Sequence, residues 1–163
     1  MSVENETRRT YYSYINDALA DANPGDTLLV ATGTHNGNLN INKSNLTLKS
    51  AAGAEKTILN GPLVIAAENV TLEGFTIGPG SGGYVMSVQS SATIKSNRIF
   101  AQDSQGGIYI DAGVGAVIRI LGNKIEYGGE SESNLAGIRV VTKPQSINDK
   151  TSEEDIISAL ESN

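Results

Sequence analysis

The segment VTLEGFTI at residues 70–77 recurs. ATIKSNRI at 92–99 and IRILGNKI at 118–125 repeat its form, and LTLK at 46–49 is a shorter echo. Each copy alternates apolar and polar residues, then turns at Gly, Ser or Asn before a last Ile. Leu46 to Val70 is 24 residues, Val70 to Ala92 is 22, and Ala92 to Ile118 is 26. A second series, Leu63, Tyr84, Ile108 and Ile138, has steps of 21, 24 and 30. A period of this size built from short strands is the signature of a solenoid, in which each repeat buries its apolar face only against its neighbours. Leucine-rich repeats need a leucine frame followed by a helical segment, and neither is present. A β-sandwich leaves the in-register recurrence of residues 74–77, 96–99 and 122–125 unexplained.

Three short strands per period, separated by tight turns, predict an all-β parallel β-helix of about five coils over residues 27–142. Leu46, Leu48, Val70, Leu72, Ala92, Ile94, Ile118 and Ile120 are expected to point inward. Thr47, Thr71, Thr93 and Arg119 are expected outward, where Thr packs well on a pleated surface. The next outward row, Lys49, Glu73 and Lys95, alternates in sign and avoids like-charge neighbours. Asn97 and Asn123 fall at equivalent turns, with Phe75 in their place one coil earlier.

A solenoid exposes unpaired strand groups and core at both ends. Residues 11–22 read as a capping helix, with Tyr11, Ile15, Ala18 and Ala22 on one stripe and Tyr14 and Leu19 beside it. Asn23, Pro24 and Gly25 stop it. A second, C-terminal helix is expected over residues 152–161, with Ser152 as N-cap and Ile156, Ile157 and Leu160 as its apolar stripe. Residues 1–163 are read as one domain.

The formal net charge is −6 and no basic cluster offsets it, which argues against nucleic acid and anionic membrane surfaces as partners. With no Cys, disulfides and thiolate chemistry are excluded, and a single His excludes a His-rich metal site. The first ten residues have no apolar run and are not read as a signal peptide. Compartment stays open, with an extracellular or cell-surface location expected if the chain is a mature fragment.

Residues 14–35, YINDALADANPGDTLLVATGTH, carry a more specific signal. They resemble the start of right-handed parallel β-helix proteins of the pectin-lyase-like superfamily. The similarity is greatest to the periplasmic copper-maturation and carbohydrate-processing branch, where a short helix precedes A-x-P-G-D-T-I-x-V-x-x-G-x-Y. Ala22, Pro24, Gly25, Asp26, Thr27, Leu28, Val30 and Gly33 match, and His35 stands where that pattern often has Tyr. The resemblance covers about residues 12–142 and implies right-handedness. It spans lyases, hydrolases, epimerases, tailspikes and adhesins, so it implies a fold more than an activity.

No catalytic set emerges. By register, Tyr109 and Arg139 should stack as outward neighbours, with Asp111 facing the same way. This trio offers a ring face for a sugar and polar groups for hydroxyls or a carboxylate; the alternative is a solvated face with one salt bridge. Segments 78–83, 100–107 and 126–137 read as equivalent loops carrying Asp103, Glu126, Tyr127, Glu130 and Glu132, a polar rim for a ligand. Acid–base hydrolysis by two carboxylates needs a defined separation, and no pair is singled out. No cofactor or metal site is assigned, although a weak Ca²⁺ site of carboxylates and carbonyls stays open. His35 reads as ordinary surface, or as hydrogen-bonded to a neighbouring loop. The Asn-x-Ser/Thr triplets read as a turn Asn followed by a strand Thr.

Three functions are compatible with these residues. The first is a non-catalytic, carbohydrate-associated or structural β-helix module, part of a larger surface or phage-like assembly. The second is a small polysaccharide lyase or glycoside hydrolase working near Asp111 and Arg139. The third is a scaffold whose outer strand face takes a protein partner or a second copy of the chain.

Overall fold

In a computed structural model, residues 2–80, 83–102, 105–128 and 137–141 are described. The expected C-terminal helix over 152–161 lies outside them, as do Asp103, Glu130 and Glu132.

The chain begins with β1 (Val3–Asn5), β2 (Thr10–Tyr12) and α1 (Ile15–Asp21). The coils follow as β3 (Thr27–Val30), β4 (Gly33–Asn36) and β5 (Leu39–Ile41), then β6 (Thr47–Ser50), β7 (Thr57–Asn60) and β8 (Leu63–Ile65). Next are β9 (Val70–Glu73), β10 (Thr76–Ile77) and β11 (Tyr84–Val88), then β12 (Ala92–Lys95), β13 (Arg98–Gln102) and β14 (Gly106–Ile110). The last rung is β15 (Ile118–Leu121), β16 (Lys124–Gly128) and β17 (Ile138–Val140). Every third strand pairs in parallel. Sheet A runs β3-β6-β9-β12-β15, sheet B runs β4-β7-β10-β13-β16 and sheet C runs β5-β8-β11-β14-β17. The result is a three-sided parallel β-solenoid of five stacked rungs, wound through about four turns.

Alternation explains the faces. Leu28, Leu48, Leu72, Ile94 and Ile120 stack in register down sheet A, and all are buried. Their outward neighbours form the row Thr27, Thr47, Thr71, Thr93 and Arg119. The predicted charge alternation is present, with Lys95 Nζ 3.2 Å from Glu73 and Lys49 paired instead to Glu6 at 2.7 Å. Each aliphatic side chain taken from water into this interior contributes about 1.5–3 kcal/mol. That burial is the main term stacking one rung on the next. In sheet C one register assignment is corrected. Leu63 pairs with Met86, which pairs with Ile108. Tyr84 therefore lies two residues before the member of this row that pairs with Leu63 and Ile108.

Polar side chains close the corners. At the turn from sheet A to sheet B, Asn97 Oδ1 accepts from the Phe75 N–H at 2.9 Å, and its Nδ2 donates to Leu72 O at 3.1 Å. Asn123 repeats this one rung on, accepting from the Asn97 N–H at 2.9 Å and donating to Ile94 O at 2.6 Å. The same corner in the second rung is held by Ser50, whose Oγ donates to Thr57 Oγ1 at 2.7 Å and accepts from the Gly53 N–H at 2.9 Å. At the corner before sheet A, Asn45 and Asn69 adopt φ of +60° and +57°, and their amides stack at 3.2 Å. Asn tolerates this left-handed conformation better than most residues. The Asn-x-Thr triplets at 45–47 and 69–71 are thus turn and strand.

The N-terminal cap differs from the helix expected over 11–22. Thr10–Tyr12 is strand, and β1 and β2 form an antiparallel pair that extends sheet A beyond β3. Tyr11 consequently faces solvent, while Ile15, Ala18, Leu19 and Ala22 are buried. The hairpin grips the helix end through Arg8, which lies 2.9 Å from Asp21 and donates to its backbone carbonyl at 2.5 Å. Tyr12 also donates to the Asp21 carboxylate, and this bond, with Arg8 beside it, holds the Asp21 carboxyl below the usual range. Beneath the hairpin, buried Asp26 accepts from Asn5 Nδ2 at 2.7 Å and from the Asn23 N–H at 2.9 Å. The Asp of the Pro-Gly-Asp-Thr stretch is therefore a fastener between turn and cap.

Candidate functional site

Sheet C carries the predicted face. Its outward row is Asn40, Val64, Ser87, Tyr109 and Arg139, each in register with the next. Flanking Ile108 and Ile110 are buried, which fixes Tyr109 outward by strand alternation. Tyr109 and Arg139 are direct cross-strand partners, so they sit one rung apart, about 4.8 Å. Asp111 immediately follows β14, two residues on from Tyr109, and its N–H bonds Val88 O at 2.9 Å.

A second ring joins this face. In β11 alternation breaks, with Val85 and Met86 both buried, and Tyr84 meets Tyr109 at a centroid distance of 5.1 Å and 39° between ring planes. Tyr84 needs a glycine opposite it. Gly106 is its cross-strand partner, and a Cβ there would collide with the Tyr84 ring. The signal was in the sequence as the Gly106-Gly107 pair, but the purpose of a glycine in a strand is readable only with its neighbour known.

Glu126 and Tyr127 lie elsewhere. Both belong to strand β16 of sheet B, where a loop was expected. The corner loops are shorter than read, since residues 100–102, 106–107 and 126–128 are strand. Glu126 is held by Arg98 and by Lys124 Nζ at 2.7 Å. Hydrogen bonds from Arg98 and then Lys124 depress its carboxyl to about 2. An acid occupied by two cations is poorly placed to take a ligand's hydroxyls. Tyr127 is in register with buried Ala101, so it continues an inward row, and it is 48% exposed in the last rung. Its phenol is raised by burial and then by the nearby Tyr84. Tyr109 and Arg139 thus share one face, Asp111 follows past the end of β14, and Glu126 and Tyr127 belong to sheet B.

A cleft of about 390 Å³ opens at the N-terminal end, between α1 and the first rung. Tyr14, Asn16, Asp17, Thr34, His35 and Asn36 contribute to its walls. His35 pairs in register with Leu59, the head of the inward row Leu59, Ile77, Ile99 and Ile125. It is therefore a polar member of an otherwise aliphatic row, half-buried, with Nε2 2.9 Å from Ala31 O. A carbonyl only accepts, so Nε2 carries the proton and Nδ1 is the ring's remaining polar atom. Reading His35 as surface or as bonded to a neighbouring loop reached the Ala31 contact but not the cleft, because periodicity does not show that an inward position at a solenoid end faces one.

Among the described residues, no three His, Asp or Glu side chains converge as a metal site, and no helix is long and apolar enough to cross a membrane. Comparison with known proteins finds no matching family model, no matching curated protein and no matching solved structure.

Proposed function

We propose that this protein is a non-catalytic, carbohydrate-associated β-helix module that holds a saccharide on the outer face of sheet C. The supporting observation is the tyrosine pair, Tyr84 and Tyr109, with Arg139 one rung away. An aromatic ring offers an apolar face to the C–H side of a sugar, and a guanidinium offers planar donors to hydroxyls or a carboxylate. Ser87 adds a hydroxyl in the same row. Binding of this kind requires only a preformed, shallow polar face, whereas catalysis requires a second group positioned to move a proton or stabilise charge. A right-handed coil and a place in the pectin-lyase-like superfamily, near its copper-maturation and carbohydrate-processing branch, accord with the resemblance of residues 14–35.

The test is a glycan array probed with the full chain and with Tyr109→Ala. Retention of a discrete set of glycans by the wild type, lost in the variant, supports the reading. Equal retention by both, or by neither, overturns it.

A further inference from the structure

We propose that the N-terminal cleft is a second binding site, specific for an uncharged sugar residue. It stands at the opposite end of the solenoid from Arg139, and neither Tyr84, Ser87, Tyr109 nor Arg139 contributes to it. Its volume of about 390 Å³ lies at the small end of ligand pockets, a size suited to one or two sugar rings.

The lining matches the two-sided chemistry of a pyranose. Tyr14, the residue before α1, is 71% exposed and offers an aromatic face. Buried Leu39 and Ile15 form an apolar floor. Thr34 and Asn36 flank His35 on strand β4, a rigid support, and the Asn36 Oδ1 accepts from Asn60 Nδ2 at 2.8 Å. The His35 ring is fixed by its bond to Ala31 O, which leaves Nδ1 as an acceptor for a hydroxyl when the ring is neutral. Asn16 is anchored to the first rung by its Nδ2, 3.3 Å from Asn38 O, so the helix and β4 walls are held together without a ligand. Such preorganisation lowers the cost of binding.

Charge sets the selectivity. Asp17 is the carboxylate in the lining, and neither Lys nor Arg lines the cleft. A uronate would meet a like charge at close range, whereas a neutral or N-acetylated sugar would not. The cleft therefore excludes a carboxylate that the Arg139 face accepts.

Saturation-transfer NMR on the full chain tests this with methyl glucoside, N-acetylglucosamine and galacturonate as probes. In a Tyr109→Ala background, which removes the sheet C aromatic face, the neutral probes should show transfer and galacturonate should not. Tyr14→Ala and His35→Gln should each weaken the neutral signal by about tenfold in affinity. Asp17→Asn should admit galacturonate. Because the probes are read in a protein without the Tyr109 ring, failure of the sheet C reading would not carry this one with it. Absence of transfer from both neutral probes overturns the proposal, as does binding insensitive to Tyr14→Ala and His35→Gln in variants whose circular dichroism matches the wild type.

Discussion

Asn123 Oδ1 receives the backbone N–H of Asn97 at 2.9 Å, and Asn97 Oδ1 in turn receives that of Phe75 at the same distance. Each asparagine thus satisfies the turn of the rung before it. The ladder ends at Phe75, which is buried and takes the position with an apolar ring. Asn97→Ala should leave the Phe75 N–H and Leu72 C=O buried without these bonds, a loss of about 2–4 kcal/mol from two such groups. Asn60→Ala, which breaks only the exposed amide contact with Asn36, should cost less than about 0.5 kcal/mol. Urea unfolding of the two variants measures the contrast. Equal effects would remove the ladder from the account.

The inward rows predict a similar contrast on sheet A. Ile94→Ala should destabilise by about 2–5 kcal/mol through lost burial and the cavity left behind. Thr71→Ala, on the outer face of the adjacent rung, should stay within about 0.5 kcal/mol. Thermal unfolding of both proteins decides it. A mild Ile94→Ala would mean that residue 94 is not in a packed interior.

Asp26 and Asn5 are buried partners at 2.7 Å. Asp26→Ala should leave the Asn5 amide and the Asn23 N–H without their acceptor and cost about 2–4 kcal/mol. Hydrogen exchange in the variant should rise first in β1 and β2, whose hairpin this contact fastens. Uniform acceleration across all five rungs would contradict a local role.

The Arg98–Glu126–Lys124 cluster gives a pH dependence of known sign. The folded carboxyl titrates near 2, below its ordinary value of 4.5. The cluster therefore stabilises the folded state above the ordinary value, and this contribution disappears as pH falls toward 2. Glu126→Gln should melt slightly below the wild type near neutral pH. The gap should close in acid and shrink in about 1 M NaCl, where screening is strong. A gap that persists in both conditions would show that Glu126 acts through packing.

Much of this fold was readable because a solenoid writes its structure locally. The inward residues from Leu46 to Ile120 and the Thr47, Thr71 and Thr93 row follow from alternation and period alone. The errors sit where a residue's surroundings are not repeated. Tyr11 fitted a helical stripe, yet the free edge of β3 recruits the β1–β2 hairpin, and edge pairing overrides local periodicity. The series Leu63, Tyr84, Ile108 missed its register by two residues, because Met86 is the residue that pairs with Leu63 and Ile108. The Tyr109–Arg139 pairing was legible as register. The Tyr84 ring above Gly106 and the cleft around His35 were not, since both depend on contacts between distant parts of the chain.

The central claim is that sheet C holds a saccharide through Tyr109 and Arg139. Isothermal titration with an oligosaccharide selected on the array tests it most directly, with Asn40→Ala as a control from the same row at the far end of the sheet. Tyr109→Ala and Arg139→Ala should each weaken binding by about tenfold or more, while Asn40→Ala should match the wild type. Affinity unchanged in both variants, with their unfolding transitions intact, would contradict the claim.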